Sequence, residues 1–141
     1  MNGLPEAPGE GFFRAYMDRY RDAWNREDLD AILDCYHQPS FTYKPGDLLT
    51  FLDAGSRRDY VADFIEVNRR EGPATWEIVG FSLVSLGRSS ALVGTRWVFR
   101  RRDGSLVWDF ADSYLLCRLD DRWRFLVRTL DDEADLEEER H

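Results

Sequence analysis

The chain has 141 residues and a net charge of −8, with 43% hydrophobic and 14% aromatic residues. That length suits one domain with a real core, and that composition excludes a disordered chain. No apolar run approaches the roughly 18 residues that span a membrane, the first residues lack a secretory signal, and the acidic balance argues against nucleic acid as a partner.

Residues 1–9, rich in Pro and Gly, read as a flexible leader to a domain over 10–130. Residues 131–141 hold seven acids against one arginine and read as a solvated acidic tail. From Glu10 the period is helical, with Phe12, Phe13, Tyr16, Tyr20, Ala23 and Trp24 on one face. A second, short helix starts after Asp28 as N-cap and carries Leu29, Ile32, Leu33 and Tyr36 as its stripe until Pro39 stops it. Short strands are expected at 40–43 and 48–52, on either side of a turn at Pro45-Gly46. Ser56 is the expected N-cap of a third helix over 57–70, with Tyr60, Val61, Phe64, Ile65 and Asn68 facing inward. Gly72-Pro73 ends it.

Four strand-like runs follow, at about 74–86, 89–102, 105–119 and 122–130. Gly87, Asp103-Gly104 and Asp120-Asp121 separate them, and Asp-Gly between alternating hydrophobic runs is a strong hairpin signal. Helices followed by a long antiparallel meander describe an α+β domain, and strands this long imply a curved sheet. Two-residue turns set the register. The first turn places Phe99 opposite Trp108, Trp97 opposite Phe110, Thr95 opposite Asp112 and Val93 opposite Tyr114. The second places Leu116 opposite Phe125, Tyr114 opposite Val127 and Asp112 opposite Thr129. One face then gathers Thr95, Trp97, Trp108, Phe110 and Tyr114 around a single carboxylate, Asp112. The opposite face, with Arg128 on it, is half apolar and is read as the surface of a homodimer.

The order of these segments resembles the NTF2-like (SnoaL-like) superfamily. The resemblance is carried by Asn25-Arg26-Glu27-Asp28-Leu29-Asp30-Ala31-Ile32-Leu33, the Tyr36-His37 step, the Pro45-Gly46 turn, and the closing Asp112-Ser113-Tyr114-Leu115-Leu116-Cys117-Arg118 and Asp121-Arg122-Trp123-Arg124-Phe125. Tyr36-His37-Gln38-Pro39 is further similar to a bacterial subgroup of unknown function. The resemblance implies a cone of curved antiparallel sheet wrapped around three helices, dimeric, with a pocket inside. Relatives include isomerases, dehydratases, hydrolases and proteins without catalysis, so the fold does not assign a reaction. Compared with the ketosteroid isomerase branch, Lys44 stands where the general base belongs. Tyr20 matches the tyrosine of the first helix, and Asp112 lies near the oxyanion-hole acid.

His37, Asp112 and Tyr20 are the candidate catalytic residues. His37 is a candidate base because His changes charge nearest neutral pH, or else it caps a helix C-terminus. Asp112 is a cleft carboxylate that either serves the site or is paired by an Arg, Tyr20 or Thr95, since an unpaired buried charge is costly. Tyr16, Tyr43, Thr95, Trp97, Trp108, Phe110 and Tyr114 are the expected pocket lining. Cys35 and Cys117 read as reduced thiols in a cytoplasmic protein. No phosphate loop, dinucleotide fingerprint, nucleophile elbow or zinc motif is present, so no cofactor or metal is implied. Two functions remain in view. One is a pocket that binds a small apolar molecule without transforming it, and the other is a lyase, isomerase or hydrolase with His37 or Asp112 as general base.

Overall fold

Hydrophobic period and capping chemistry account for where the three helices form. In the computed structural model, which describes residues 6–131, α1 is Glu10–Asn25 and buries Phe13, Tyr16, Met17, Tyr20 and Ala23. Phe12, expected on that face, is instead 40% exposed, and Met17 takes its share of the core. Helix α2 (Leu29–Asp34) starts as expected, with the Asp28 carboxylate accepting the Ala31 N–H. Helix α3 (Ala54–Arg69) starts earlier than expected. Its cap is the Asp53 carboxylate, which accepts the N–H of Ser56 at 2.9 Å, so Ser56 lies inside the first turn. Residues 1–5 and 132–141, which hold most of the expected leader and of the acidic tail, lie outside the described residues.

The six strands are β1 (Tyr36–Lys44), β2 (Asp47–Phe51), β3 (Ala74–Ser85), β4 (Ser90–Arg101), β5 (Leu106–Leu119) and β6 (Arg122–Leu130). They form one open sheet in the order β2-β1-β6-β5-β4-β3, curved around the helices. All neighbours are antiparallel except β1 and β6, which run parallel. The second helix stops at Asp34, so Tyr36 and His37 belong to β1 and not to a helix end.

The β4–β5 register matches the expectation from Phe99 opposite Trp108 through Val93 opposite Tyr114. It is reached by two compensating departures. The Arg101 N–H bonds the Ser105 carbonyl around three loop residues instead of two, and Val107 is extra where Arg100 pairs Leu106. Between β5 and β6 the turn at Asp120-Asp121 uses two positive φ values, 51° and 60°, which suit a two-residue hairpin turn and which Asp tolerates. Leu116 opposes Phe125 as expected, but Leu115 opposes Val127. Leu126 is therefore an inserted residue, a bulge that shifts every later pair by one. Tyr114 opposes Arg128 and Asp112 opposes Leu130. That one step moves Arg128 from the outer face to the inner one.

The core fills the space between helices and sheet. Tyr114 stacks on Phe125 and Trp76 on Phe99, each with ring centroids 4.4 Å apart. Tyr20 touches five aromatic rings from α1, β1, β4, β5 and β6.

Candidate functional site

Aromatic side chains do not close the inner space completely. A cavity of about 50 Å³ remains, several times the roughly 10–15 Å³ that one water needs. Tyr20 and Trp24 of α1 line one side. Arg57, Tyr60, Val61 and Phe64 of α3 line another, and Tyr36, Trp76, Trp97, Phe110, Tyr114 and Arg128 come from the sheet. The lining is thus aromatic with two guanidinium groups, drawn from five strands and two helices.

Beneath this lining Asp112 is almost fully buried and accepts four donors. Its Oδ1 takes the Thr95 hydroxyl at 2.7 Å and the Trp97 indole N–H at 3.0 Å, an N–H shared with the Thr95 oxygen at 2.8 Å. Its Oδ2 takes the Tyr114 hydroxyl at 2.8 Å and the Arg128 Nε–H at 2.8 Å. A carboxylate offers about four lone-pair positions, so each is committed. Burial disfavours the Arg128 cation, but the Asp112 carboxylate together with the Tyr114, Tyr36 and Tyr20 hydroxyls outweighs it and holds the guanidinium well above its ordinary pKa. The closed set explains how a charge tolerates this interior.

Arg57 sits at another side of the cavity in a different condition. It is 3% exposed, and its guanidinium lies over the Tyr36 and Phe51 rings at 4.0 and 3.8 Å. Its Nε and Nη2 donate to the Ser40 hydroxyl at 3.3 and 2.9 Å, and Nη1 donates to Thr42 at 3.0 Å. These acceptors are neutral. Among the described residues no carboxylate pairs with it, and burial lowers its pKa from the usual guanidinium value.

The tyrosine hydroxyls are donors held neutral by burial. Desolvation raises the pKa of Tyr20, Tyr36 and Tyr114, to which the Tyr36 neighbour adds for Tyr20 and the Asp112 charge for Tyr114. The Tyr20 and Tyr36 hydroxyls bond one another at 2.6 Å. Burial also pushes the Cys35 thiol up to about 12, so it is a packing group and not a thiolate nucleophile.

The other expected site residues are dispersed. Tyr20, Trp97, Phe110 and Tyr114 line the cavity, with Thr95 and Asp112 behind them. Trp108 lies farther along, donating from Nε1 to the Asn68 side-chain carbonyl at 3.0 Å and stacking near Phe64. Tyr43, an odd-numbered residue of a strand whose even positions Ser40 and Thr42 are buried, is 44% exposed. Tyr16 donates to the Cys35 carbonyl at 2.8 Å and lines a separate cleft with Phe12 and Trp123. His37 neighbours inward-facing Tyr36 but is not among the cavity residues, and its Nδ1 bonds the Pro39 carbonyl at 3.0 Å. His37 and Asp112 are therefore not brought to a common point.

Arg57 and Arg128 are the charged cavity residues that sequence reasoning missed. A signal for Arg57 was present, because Arg57, Val61, Ile65 and Asn68 follow a helical i, i+4, i+8, i+11 spacing and all four are buried. Arg128 had no such signal, since a bulge decides its face. No three His, Cys, Asp or Glu side chains among the described residues gather in a metal-binding arrangement, and no helix among them is long and apolar enough to cross a membrane.

Three helices against an open, curved sheet with a lined interior cavity define the NTF2-like class of α+β protein. The chain belongs to the family described as NTF2-like protein (DUF6841), which matches residues 9–133. A comparison with curated proteins finds no match. Among solved structures, an NTF2-like protein of unknown function from Pseudomonas putida KT2440 is similar with a TM-score of 0.71 and 15% identity, over 89% of each chain. An NTF-2 like protein of unknown function from Shewanella oneidensis MR-1 has a TM-score of 0.61 and 22% identity, over 85% of this chain and 96% of that one. A protein of unknown function with a cystatin-like fold from Nostoc punctiforme has a TM-score of 0.68 and 7% identity, over 84% and 86%. At such identities the likeness shows the fold alone.

Proposed function

We propose that the protein binds a small, largely apolar organic molecule in the aromatic cavity and does not transform it. The observation that carries this reading is the combination of an aromatic-lined space with acid–base candidates that are already committed. Asp112 spends all four acceptor positions on Thr95, Trp97, Tyr114 and Arg128, so it has no lone pair with which to take a substrate proton. His37 bonds a backbone carbonyl away from the cavity, and the cavity phenols are held neutral. A reaction with either group as general base has correspondingly less support.

The test is a thermal-shift and NMR titration of the full chain with benzamide, indole and benzoate. A ligand that binds only the folded state adds about 2.7 kcal/mol at a hundredfold excess over its Kd. At least one probe should raise the melting temperature and shift resonances of Tyr20, Trp97 and Phe110. Val61→Phe, which fills the cavity from α3, should abolish the effect. No binding by any of the three, or binding that Val61→Phe leaves intact, would overturn the reading.

The same reading includes a homodimer through the outer sheet face. Its support is an apolar row across five strands, in which Val84 opposes Leu92, Leu92 opposes Leu115, Leu115 opposes Val127 and Val127 neighbours Phe41. Val84 and Leu92 are 54% and 39% exposed. Light scattering at micromolar concentration should give twice the chain mass, and Leu92→Lys should give the single chain. A wild-type monomer would remove the dimer from the proposal.

A further inference from the structure

Arg57 is a buried cation whose compensation is incomplete. A guanidinium carries five N–H donors. Three of those on Arg57 reach acceptors, all of them to the hydroxyls of Ser40 and Thr42. One N–H on each terminal nitrogen has no acceptor among the described residues. The carboxylate nearest in role, Asp112, is saturated and has Arg128 as its own cation. Counted together, Arg57, Arg128 and Asp112 leave the cavity one positive charge in excess. The Tyr36 and Phe51 rings offset part of the cost through their π faces. A structural clamp between α3 and β1 would need hydrogen bonds to Ser40 and Thr42 but no charge, so the clamp alone does not account for an arginine here.

We propose that the cavity takes the carboxylate of a compact organic acid, anchored by the Arg57 guanidinium, with the aromatic walls of Trp24, Phe64, Trp97 and Phe110 holding its apolar body. This rests on the reading of the cavity as a ligand site. A monoanion matches the single excess charge, and a planar carboxylate matches the guanidinium fork. The apolar walls select an organic body over a bare or multiply charged anion, and the volume of about 50 Å³ keeps that body compact.

Calorimetric titration of the full chain near neutral pH would compare benzoate with benzamide, isobutyrate with isobutyramide, and inorganic phosphate. Each acid should bind about tenfold or more tighter than its amide. In Arg57→Met that preference should collapse to about twofold or less, while benzamide still binds the variant. Amides that bind wild type as well as the acids would overturn the carboxylate assignment and leave the ligand cavity standing. Failure of acids and amides alike would overturn the carboxylate assignment, and failure of indole as well would overturn the ligand cavity. Phosphate competing on equal terms with benzoate would mark a bare anion site and also overturn the assignment. Should Arg57→Met not fold, the wild-type guanidinium resonances decide. Benzoate should move the Arg57 Nε–Hε signal and benzamide should not. A signal that ignores benzoate, or a shift confined to Arg128, overturns the proposal.

Discussion

Two arginines line the same cavity and are compensated in opposite ways. Arg128 donates to a carboxylate that also receives a threonine, a tryptophan and a tyrosine, so every acceptor position of Asp112 is filled. Arg57 meets two hydroxyls and two aromatic rings and, among the described residues, no acid. A complete polar set locks several strands into one arrangement and has nothing left to offer a ligand. An incomplete set gives up stability and keeps its charge available. On the proposed reading, the first region belongs to the scaffold and the second to recognition.

The largest effect should come from opening the closed set. Asp112→Ala strands the Arg128 guanidinium in the interior and should lower unfolding free energy by about 3–5 kcal/mol, read by urea denaturation. A loss below about 1 kcal/mol would mean the set is not a structural unit. Alkaline pH attacks the same region through its phenols. Tyr20, Tyr36 and Tyr114 have folded pKa values raised above the ordinary value near 10. Their contribution is whole below pH 10 and is lost as pH climbs from there toward the folded values. Each phenol that stays protonated in the fold then costs about 1.4 kcal/mol per pH unit. Denaturation curves at pH 9 and 11 should show the drop, and Tyr36→Phe should lessen it; a flat response would contradict the neutral, buried phenols.

Smaller still should be the stability change in Arg57→Met. Losing bonds to Ser40 and Thr42 is offset by removing a desolvated charge, so the variant should lose less than half of what Asp112→Ala loses. An equal loss would erase the contrast between the two arginines. Smallest of all, His37→Ala should change stability by about 0.5 kcal/mol or less and leave probe binding unaltered. Weakened probe binding in that variant would bring His37 back into the site.

Much of this frame was legible from residues alone. Asp28 capped the helix it was expected to cap, and the four long strands fall within one or two residues of their turn signals. The aromatic inner face of β4 and β5 follows from alternation and the Asp103-Gly104 turn, because side chains two apart must share a face. His37 was expected at a helix end, but the helix stops at Asp34 and β1 starts at Tyr36 and runs on through Tyr43, which was expected in a strand. Both fall on odd positions of a strand whose even positions Tyr36, Ser40 and Thr42 are buried. Tyr16 faces the helix interior as expected but at its far end, where Cys35 offers a carbonyl.

What the sequence determined by itself is the set of elements, the cavity's aromatic character and the presence of Asp112 among those rings. These depend on periods of 2 and 3.6 residues and on turn chemistry, all of which act between near neighbours. Only the tertiary structure decided how the charges are matched. Strand β6 must pair with β5 on one side and with β1 on the other, and the bulge at Leu126 that reconciles the two turns Arg128 inward to Asp112. Arg57 stands on the buried stripe of α3 by its spacing to Val61, Ile65 and Asn68, and the packing of α3 on β1 sets it against Ser40 and Thr42 of a strand distant in sequence. A bulge and a helix–strand contact are settled by long-range packing, so local pattern located the cavity and left its charge to the fold.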